Sequence, residues 1–534
     1  MWCEDVGMVY LEAVQDALLA VSPGMVGKLW DRTSGNAFDL ASGDEASWIL
    51  QVPDLWEQFP RDDCTVGTGP GVAVLLKKIR DNISRAERLV DITGFGVPSI
   101  IGSPAGPYPD GPFLKAMVDG LKKAVESRTK DDPLLTVRFL TGLLGGIGVI
   151  TPSDFRQEVI GMLGESAALI DVWVASMRTR GVTSYNHTKF VIVDGQSVIH
   201  GGINWMTNYY IEDGPMFSRG YGASAPVTDL DIALRGPAAA SSGRFVDLLW
   251  EWVRVNRSTG TLLSAVNFAA QVAVSKAVSS AKDWSLYKGL DEEEAGDLDV
   301  ISVGSLGYGM TPVRDEASKF KLKPLFVLDE KSGLLNRETN TDRDFMTVNP
   351  DAEALRALVA SATTSIVMSQ QDINGFTGSP LGHALYDVRF LDTLAERMIA
   401  GVKVRIVISN PGPPDYSNIT SLDVAYKSLY DRVRRGLDYD ARAHQILRRQ
   451  LQLAPFRSQQ NAEWPSGYKY RLHTKLVCVD DTAFYIGSRN VYPDTTQDHG
   501  FIIENRKAAA QLYEAFLKPQ WEFSKRGAIC DYDW

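Results

Sequence analysis

Two stretches of this chain carry the same chemistry-bearing residues at the same spacing. The first runs His187-Thr188-Lys189-Phe190-Val191-Ile192-Val193-Asp194 and is followed by Gly201-Gly202-Ile203-Asn204. The second runs His473-Thr474-Lys475-Leu476-Val477-Cys478-Val479-Asp480 and is followed by Gly487-Ser488-Arg489-Asn490. A histidine near neutral pH serves as a nucleophile or as a general acid/base. A lysine ammonium and an asparagine amide donate hydrogen bonds to anionic oxygens. The set makes a poor metal cage, because lysine is a cation and each copy supplies one imidazole. Two copies do supply two imidazoles, which is what a two-step exchange at phosphorus requires. One ring attacks phosphorus; the other protonates the leaving alkoxide and later activates the incoming hydroxyl. The covalent step divides one hard displacement into two easier ones. The doubled lysine and asparagine would hold the non-bridging oxygens as charge builds in the transition state.

Hairpins must carry these residues. After His and Lys comes an apolar, largely β-branched or leucine-type run, then Asp, then a second short run over 197–200 or 483–486. Asp194-Gly195 and Asp480-Asp481 suit the turn between the runs. In a strand, His and Lys two positions apart share a face, and Gly-x-x-Asn returns beside them on the neighbouring strand. Around each hairpin, helical and strand patterns alternate. The spacing predicts helices over 9–20, 72–88, 113–125 and 153–163, and strands over 89–93, 135–141 and 170–176. The second half repeats the plan, with helices over 352–362 and 390–400 and strands over 365–369 and 402–409. Phe113-Leu114 and Phe390-Leu391 open matching helices, and Arg138 and Arg405 fall inside matching strands. The expected fold class is therefore α/β, with two homologous α-β-α sandwich lobes in one chain. The expected division is 1–290, an acidic connection over 291–345 with a strand at 298–303, and 346–534. A basic helix over 430–449 reads as a solvated face. The glycine-rich loops 97–107 and 143–150 could cover the core or dip into a lipid surface.

With 534 residues, 44% hydrophobic, the chain has ample material for a large core or a doubled domain. Its net charge of −11 weighs against a nucleic-acid partner, which calls for a basic surface. No run of eighteen apolar residues suggests a membrane span. The N-terminus has neither a basic n-region nor an apolar h-region, as expected of a cytosolic protein or of a mature secreted form with a start Met. Cys3, Cys64, Cys478 and Cys530 form no zinc spacing. Cys478 reads as a buried strand residue, and Cys3, Cys64 and Cys530 could include one disulfide.

The doubled HxKxxxxD with a downstream Gly-x-x-Asn resembles the signature of the phospholipase D superfamily, and the chain looks like its two-motif secreted bacterial kind over nearly its full length. The resemblance implies two lobes related by a pseudo-twofold, with the active site at their interface. It implies His187 as the nucleophile and His473 as the acid/base. Lys189, Asn204, Lys475 and Asn490 would clamp the phosphate, and Asp194, Asp480, Gly202 and Ser488 would support. In that family each lobe has a later carboxylate that accepts the histidine's other N–H. The candidates are Asp229 and Asp498, with Asp231 and Glu504 as fallbacks. Tyr185 and Tyr386 match aromatic positions that shape the headgroup site. The first Gly-Gly departs from the Gly-Ser of the second copy, and the segment 205–227 reads as a loop at the pocket mouth. His200 reads as a strand residue, His383 and His499 as near-site histidines, and His444 as part of a charged helix. The implied activity is hydrolysis of the headgroup-side phosphodiester of glycerophospholipids through a phosphohistidine, with transfer to other alcohols. The implied partner is a phospholipid at a membrane or micelle surface, for a secreted monomer with no cofactor and no metal. The rival readings are a phospholipid synthase or nuclease working by the same step, and an inactive lipid-binding relative.

Overall fold

The computed structural model describes residues 9–36, 48–53, 56, 70–96, 108–143, 151–179, 184–206, 210, 227–256, 271–276, 285–287, 295–307, 310, 327–328, 335–336, 343–375, 385–411, 421–437, 440–463, 469–492 and 495–531. Two nine-stranded sheets organise them. In the first half Leu89–Gly96, Leu135–Leu143 and Ile170–Arg178 run parallel, side by side. Helices Gly111–Ala124 and Pro152–Leu163 make the crossovers that parallel neighbours require. Ser365–Gln370, Lys403–Ile408 and Leu451–Pro455 repeat the arrangement in the second half, with helix Val388–Ile399 crossing between the first two. Local chemistry starts these helices. Thr151 and Asp154 form a reciprocal capping box, and the Asp387 side chain accepts from the Phe390 N–H.

The motif hairpins extend each parallel set on its other side. Phe190–Val193 lies antiparallel to Leu89–Gly96 and turns into Ser197–Gly201, which pairs with Val227–Arg235. Lys475–Val479 lies antiparallel to Ser365–Gln370 and turns into Ala483–Gly487, which pairs with Gln497–Glu504. The halves thus share one strand order. The turns have positive φ at both central residues, 51° and 70° at Asp194 and Gly195, 51° and 48° at Asp480 and Asp481. Such turns match the twist of the flanking strands. Each motif aspartate also clamps its hairpin tip to the strand beside it. Asp194 accepts from the N–H groups of Glu87, Arg88 and Leu89. Asp480 accepts from those of Thr363, Thr364 and Ser365.

Sheet membership crosses the expected boundaries near 290 and 345. Trp30–Gly35 pairs with Leu298–Leu306, and Leu298–Leu306 pairs with Gln497–Glu504. A strand of the N-terminal segment and a strand of the connection are therefore built into the second sheet. In the other direction, Arg471–Leu472 joins Val227–Arg235 of the first sheet. The physical reason is edge cover, since the outer edge of Gln497–Glu504 would otherwise present unpaired N–H and C=O groups.

One apolar cluster packs helices on the first sheet, with Leu75, Ile79, Phe113, Met117 and Phe139 buried in it. The larger cluster runs through both sheets, and helix Pro237–Asn256 lies inside it. There Phe245, Leu249 and Trp250 share the core with Phe190 and Ile232 of one sheet and Val300 and Val303 of the other. No clean polar stripe announces this helix, because Ala238 to Gly243 are small and buried and the partly exposed face mixes Arg244 and Glu251 with Leu248 and Val255. The expected basic helix over 430–449 is instead two, Leu422–Arg435 and Asp440–Gln450, parted after Gly436, a poor helix former. The aligned arginines keep their places but not their partners. Arg138 bonds the buried Asp91 and Asp247, whereas Arg405 bonds Gln452 and lies over Trp521. Cys478 and Cys530 are buried free thiols, so no disulfide uses Cys530. Cys3, Cys64, His383 and the loops 97–107 and 144–150 lie outside the described residues. Among those described, no helix is long and apolar enough to cross a membrane.

Candidate active site

Regular strand begins at Phe190 and at Lys475, so each histidine sits just before its strand. What fixes it there comes from the other half. The His187 N–H donates to the carbonyl of Gln497, and the His473 N–H donates to the carbonyl of Thr228, both at 2.9 Å. The residues that follow those carbonyls are Asp498 and Asp229. Accordingly His187 Nδ1 lies 2.8 Å from Asp498, and His473 Nδ1 lies 2.8 Å from Asp229. Each imidazole is thus paired with a carboxylate from across the seam, not from its own half. A carboxylate only accepts, so Nδ1 carries the proton and Nε2 is the nitrogen left to meet a substrate.

The other motif residues gather on the same seam. Lys189 and Lys475 are buried, and each ammonium bonds back to the carbonyl of its own motif histidine. The Asn204 and Asn490 side chains are buried with their Oδ1 atoms unpartnered among the described residues. The Gly-Gly of the first copy now has a steric reason. A Cβ on Gly202 would lie 2.1 Å from Asp229 Oδ1, and one on Gly201 would lie 2.5 Å from Asp231 Oδ1. In the second copy Ser488 Oγ donates to Asp498 at 2.6 Å. Tyr185 stacks on Phe95 at 4.8 Å, and Phe95 packs edge-on against His187 at 5.3 Å. Tyr386 pairs with Asn374 through its backbone, and its side chain lies outside the described atoms.

The fallback carboxylates hold backbone rather than imidazole. Asp231 accepts from the Ile203 N–H and Glu504 from the Leu11 N–H. Two hydroxyls that the sequence did not suggest complete the pairs. Tyr210 donates to Asp229 at 3.0 Å and accepts from the Asn204 N–H at 3.3 Å. Thr496 donates to Asp498. Neither belongs to a periodic pattern. For Thr496 the position two before Asp498 was a usable signal, since i and i+2 share a face in an extended chain. His200 lies in its strand as expected, His499 bonds Ser302, and His444 packs on Tyr430 at 4.5 Å.

Electrostatics tie the seam into one pocket. Burial pushes His187 down to about 4, helped by Lys189 and by Lys475 of the other half and opposed by Asp498. Burial pushes His473 down to about 3, helped by Lys475 and by Lys189 of the other half and opposed by Asp229. Burial also brings Lys189 down to about 7. Burial works to raise both carboxyls, but the facing imidazoles and lysines outweigh it and hold Asp229 and Asp498 below the usual range. Asp231, with burial as the main cause, is raised well above it. Each imidazole thus feels the lysine of the other half as well as its own, so the four side chains share one electrostatic neighbourhood.

No family model matches the chain. A phospholipase D from Streptomyces antibioticus is 39% identical over 528 residues, which is 97% of this chain and 88% of that protein. A solved phosphatidylserine synthase from Haemophilus influenzae Rd KW20 covers 96% of this chain and 91% of its own, at 12% identity and a TM-score of 0.46. The fold and the seam define an α/β chain of two homologous halves that bring a pair of histidines together. The likeness to the Streptomyces protein, over nearly the whole length, shows which such chain it is: it belongs to the phospholipase D family.

Proposed function

We propose that the chain is a phospholipase D acting on glycerophospholipids, cleaving on the headgroup side to leave phosphatidic acid and a free alcohol such as choline. His187 Nε2 attacks phosphorus, the P–O bond to the headgroup breaks, and His473, protonated on Nε2 once the phosphate anion is bound, passes that proton to the departing alkoxide. The second step reverses the roles. His473 takes the proton of an incoming water, whose oxygen attacks phosphorus and releases His187. An alcohol in place of water gives headgroup exchange. Lys189, Lys475, Asn204 and Asn490 hold the non-bridging oxygens, and removal of one such donor costs about 10²–10³-fold in rate. Asp498 and Asp229 fix the tautomers and stabilise imidazolium as it forms. The donor set does this work with lysine cations and amides, so the reaction proceeds without a metal.

The observation that carries this reading is the crossed pairing, which gives each half's histidine a carboxylate from the other. Secretion and work at a lipid surface belong to this reading, and the acidic net charge weighs against a nuclease. Incubation with phosphatidylcholine and ethanol tests the function. Phosphatidylethanol and choline are expected, unchanged by a chelator, and formation of neither would overturn it.

A further inference from the structure

Behind the His187–Asp498 pair stands a third histidine that this reaction does not use. His200 lies in the strand Ser197–Gly201, fully buried. Its Nδ1 is 2.8 Å from the carbonyl oxygen of Lys189, across the hairpin, and its Nε2 is 2.9 Å from the carbonyl oxygen of His499, in the other half. Both neighbours are acceptors. A neutral ring donates to only one of them, so with its proton on Nε2 it ties its own strand to the His499 carbonyl of the other half, and only an imidazolium would donate to both. The strands are the ones that matter here. Lys189 belongs to the phosphate clamp, and His499 follows Asp498. The His499 carbonyl also accepts from the Ser488 N–H at 2.9 Å, and Ser488 Oγ bonds Asp498. Phe190 stacks on the His200 ring at 4.2 Å, and His499 and Phe501 meet it edge-on at 5.3 and 5.7 Å, so the ring has one seat.

The internal repeat shows that the strand itself does not demand histidine there. Ile486 holds the matching place, pairing with Leu476 as His200 pairs with Phe190. A buried polar ring that a strand can do without costs desolvation unless it serves something else.

We propose that His200 is a positioning residue for the phosphoryl exchange, a strut between the halves that holds Asp498 in reach of His187. The inference rests on the function proposed above. Pre-organised geometry is where such a residue acts, because a small misplacement of reacting groups costs rate more than binding. His473 and Asp229 have no share in this strut, so only one of the two pairs depends on it.

The test uses full-length variants. His200→Phe keeps the ring contacts and removes the N–H donor; His200→Ile copies the second hairpin; His200→Gln keeps an amide donor. Choline release from phosphatidylcholine vesicles is expected to show kcat lowered about 10–100-fold in the Phe and Ile variants, with KM within about twofold and partial rescue by Gln. Proton NMR adds a readout that a merely structural role would not move. The low-field Nδ1–H resonance of His187, identified by its loss in His187→Ala, should weaken while that of His473 persists. Wild-type kcat in a folded Phe or Ile variant overturns the proposal. So does equal loss of both resonances, or failure of both variants to fold, which would make His200 a folding residue. Choline release surviving in His187→Ala would instead overturn the function, whatever His200 does.

Discussion

Asp498 and His187 belong to opposite halves of the chain, yet Asp498 Oδ1 lies 2.8 Å from His187 Nδ1. The same exchange binds Asp229 to His473. Among the described residues neither motif histidine takes its carboxylate from its own half, so on the proposed mechanism the halves act only together.

The crossing has a direct consequence for substitutions. Asp498→Asn should remove the low-field Nδ1–H signal of His187 and leave that of His473, and Asp229→Asn should do the reverse. Each should lower kcat by about 10²–10⁴-fold, since the asparagine no longer fixes the tautomer or stabilises imidazolium. Loss of the signal belonging to the same half would contradict the pairing.

An anion in the pocket should restore proton affinity to the histidines. The rings are pushed down to about 4 and about 3 by burial and by the two lysines. Bound phosphate offsets the lysine charge and favours imidazolium. Titration of the ring protons by NMR should therefore show both values rising when inorganic phosphate is added. Values that fall or stay fixed at saturating phosphate would place the anion elsewhere.

On the proposed mechanism Lys189 should set an alkaline limit. Its ammonium is brought down to about 7, so as pH rises through that value the clamp loses a charge and kcat/KM should fall. Lys189→Arg stays charged at any working pH. It should shift the alkaline limb upward by more than about one unit, at a maximum lowered about 10–100-fold by the altered fork geometry. An unmoved limb in that variant would assign it to another group.

Asp480 should matter to stability rather than to chemistry. Burial works to raise its carboxyl, but the N–H groups of Ser365, Thr363 and Thr364 outweigh it and hold the value below the usual range. A lowered folded value means its contribution is present above about pH 4 and lost as pH falls through the folded value. Asp480→Ala should cost about 2–4 kcal/mol, with three N–H groups losing a charged acceptor. Melting temperature should drop while kcat of the folded fraction stays near wild type; a kcat loss without a melting change would reverse the assignment.

The sequence carried the repeat well because period-two strands and apolar helix stripes mark both halves, and His, Lys and Asn stand at fixed offsets within them. It also offered Asp229 and Asp498, the two carboxylates that lie beside His473 and His187. What it could not hold was their crossing, because which strand edge meets which depends on packing between distant segments. The placement of Trp30–Gly35 and Leu298–Leu306 in the second sheet escaped for the same reason. Helix Pro237–Asn256 was hard to read because its outer face mixes Leu248 and Val255 with Arg244 and Glu251, which blurs the polar stripe that gives a helix its period. Tyr210 had no periodic neighbour pattern in the sequence to declare it.

On the proposed mechanism histidines from both halves serve one phosphorus in different steps. A phosphatidyl ester of p-nitrophenol tests it, because that leaving group departs without a proton from the enzyme. His473→Ala should release about one p-nitrophenol per chain in a burst and then stall with a phosphatidyl group on His187, while His187→Ala should give no burst. A burst in His187→Ala, or steady turnover in His473→Ala, would contradict the account.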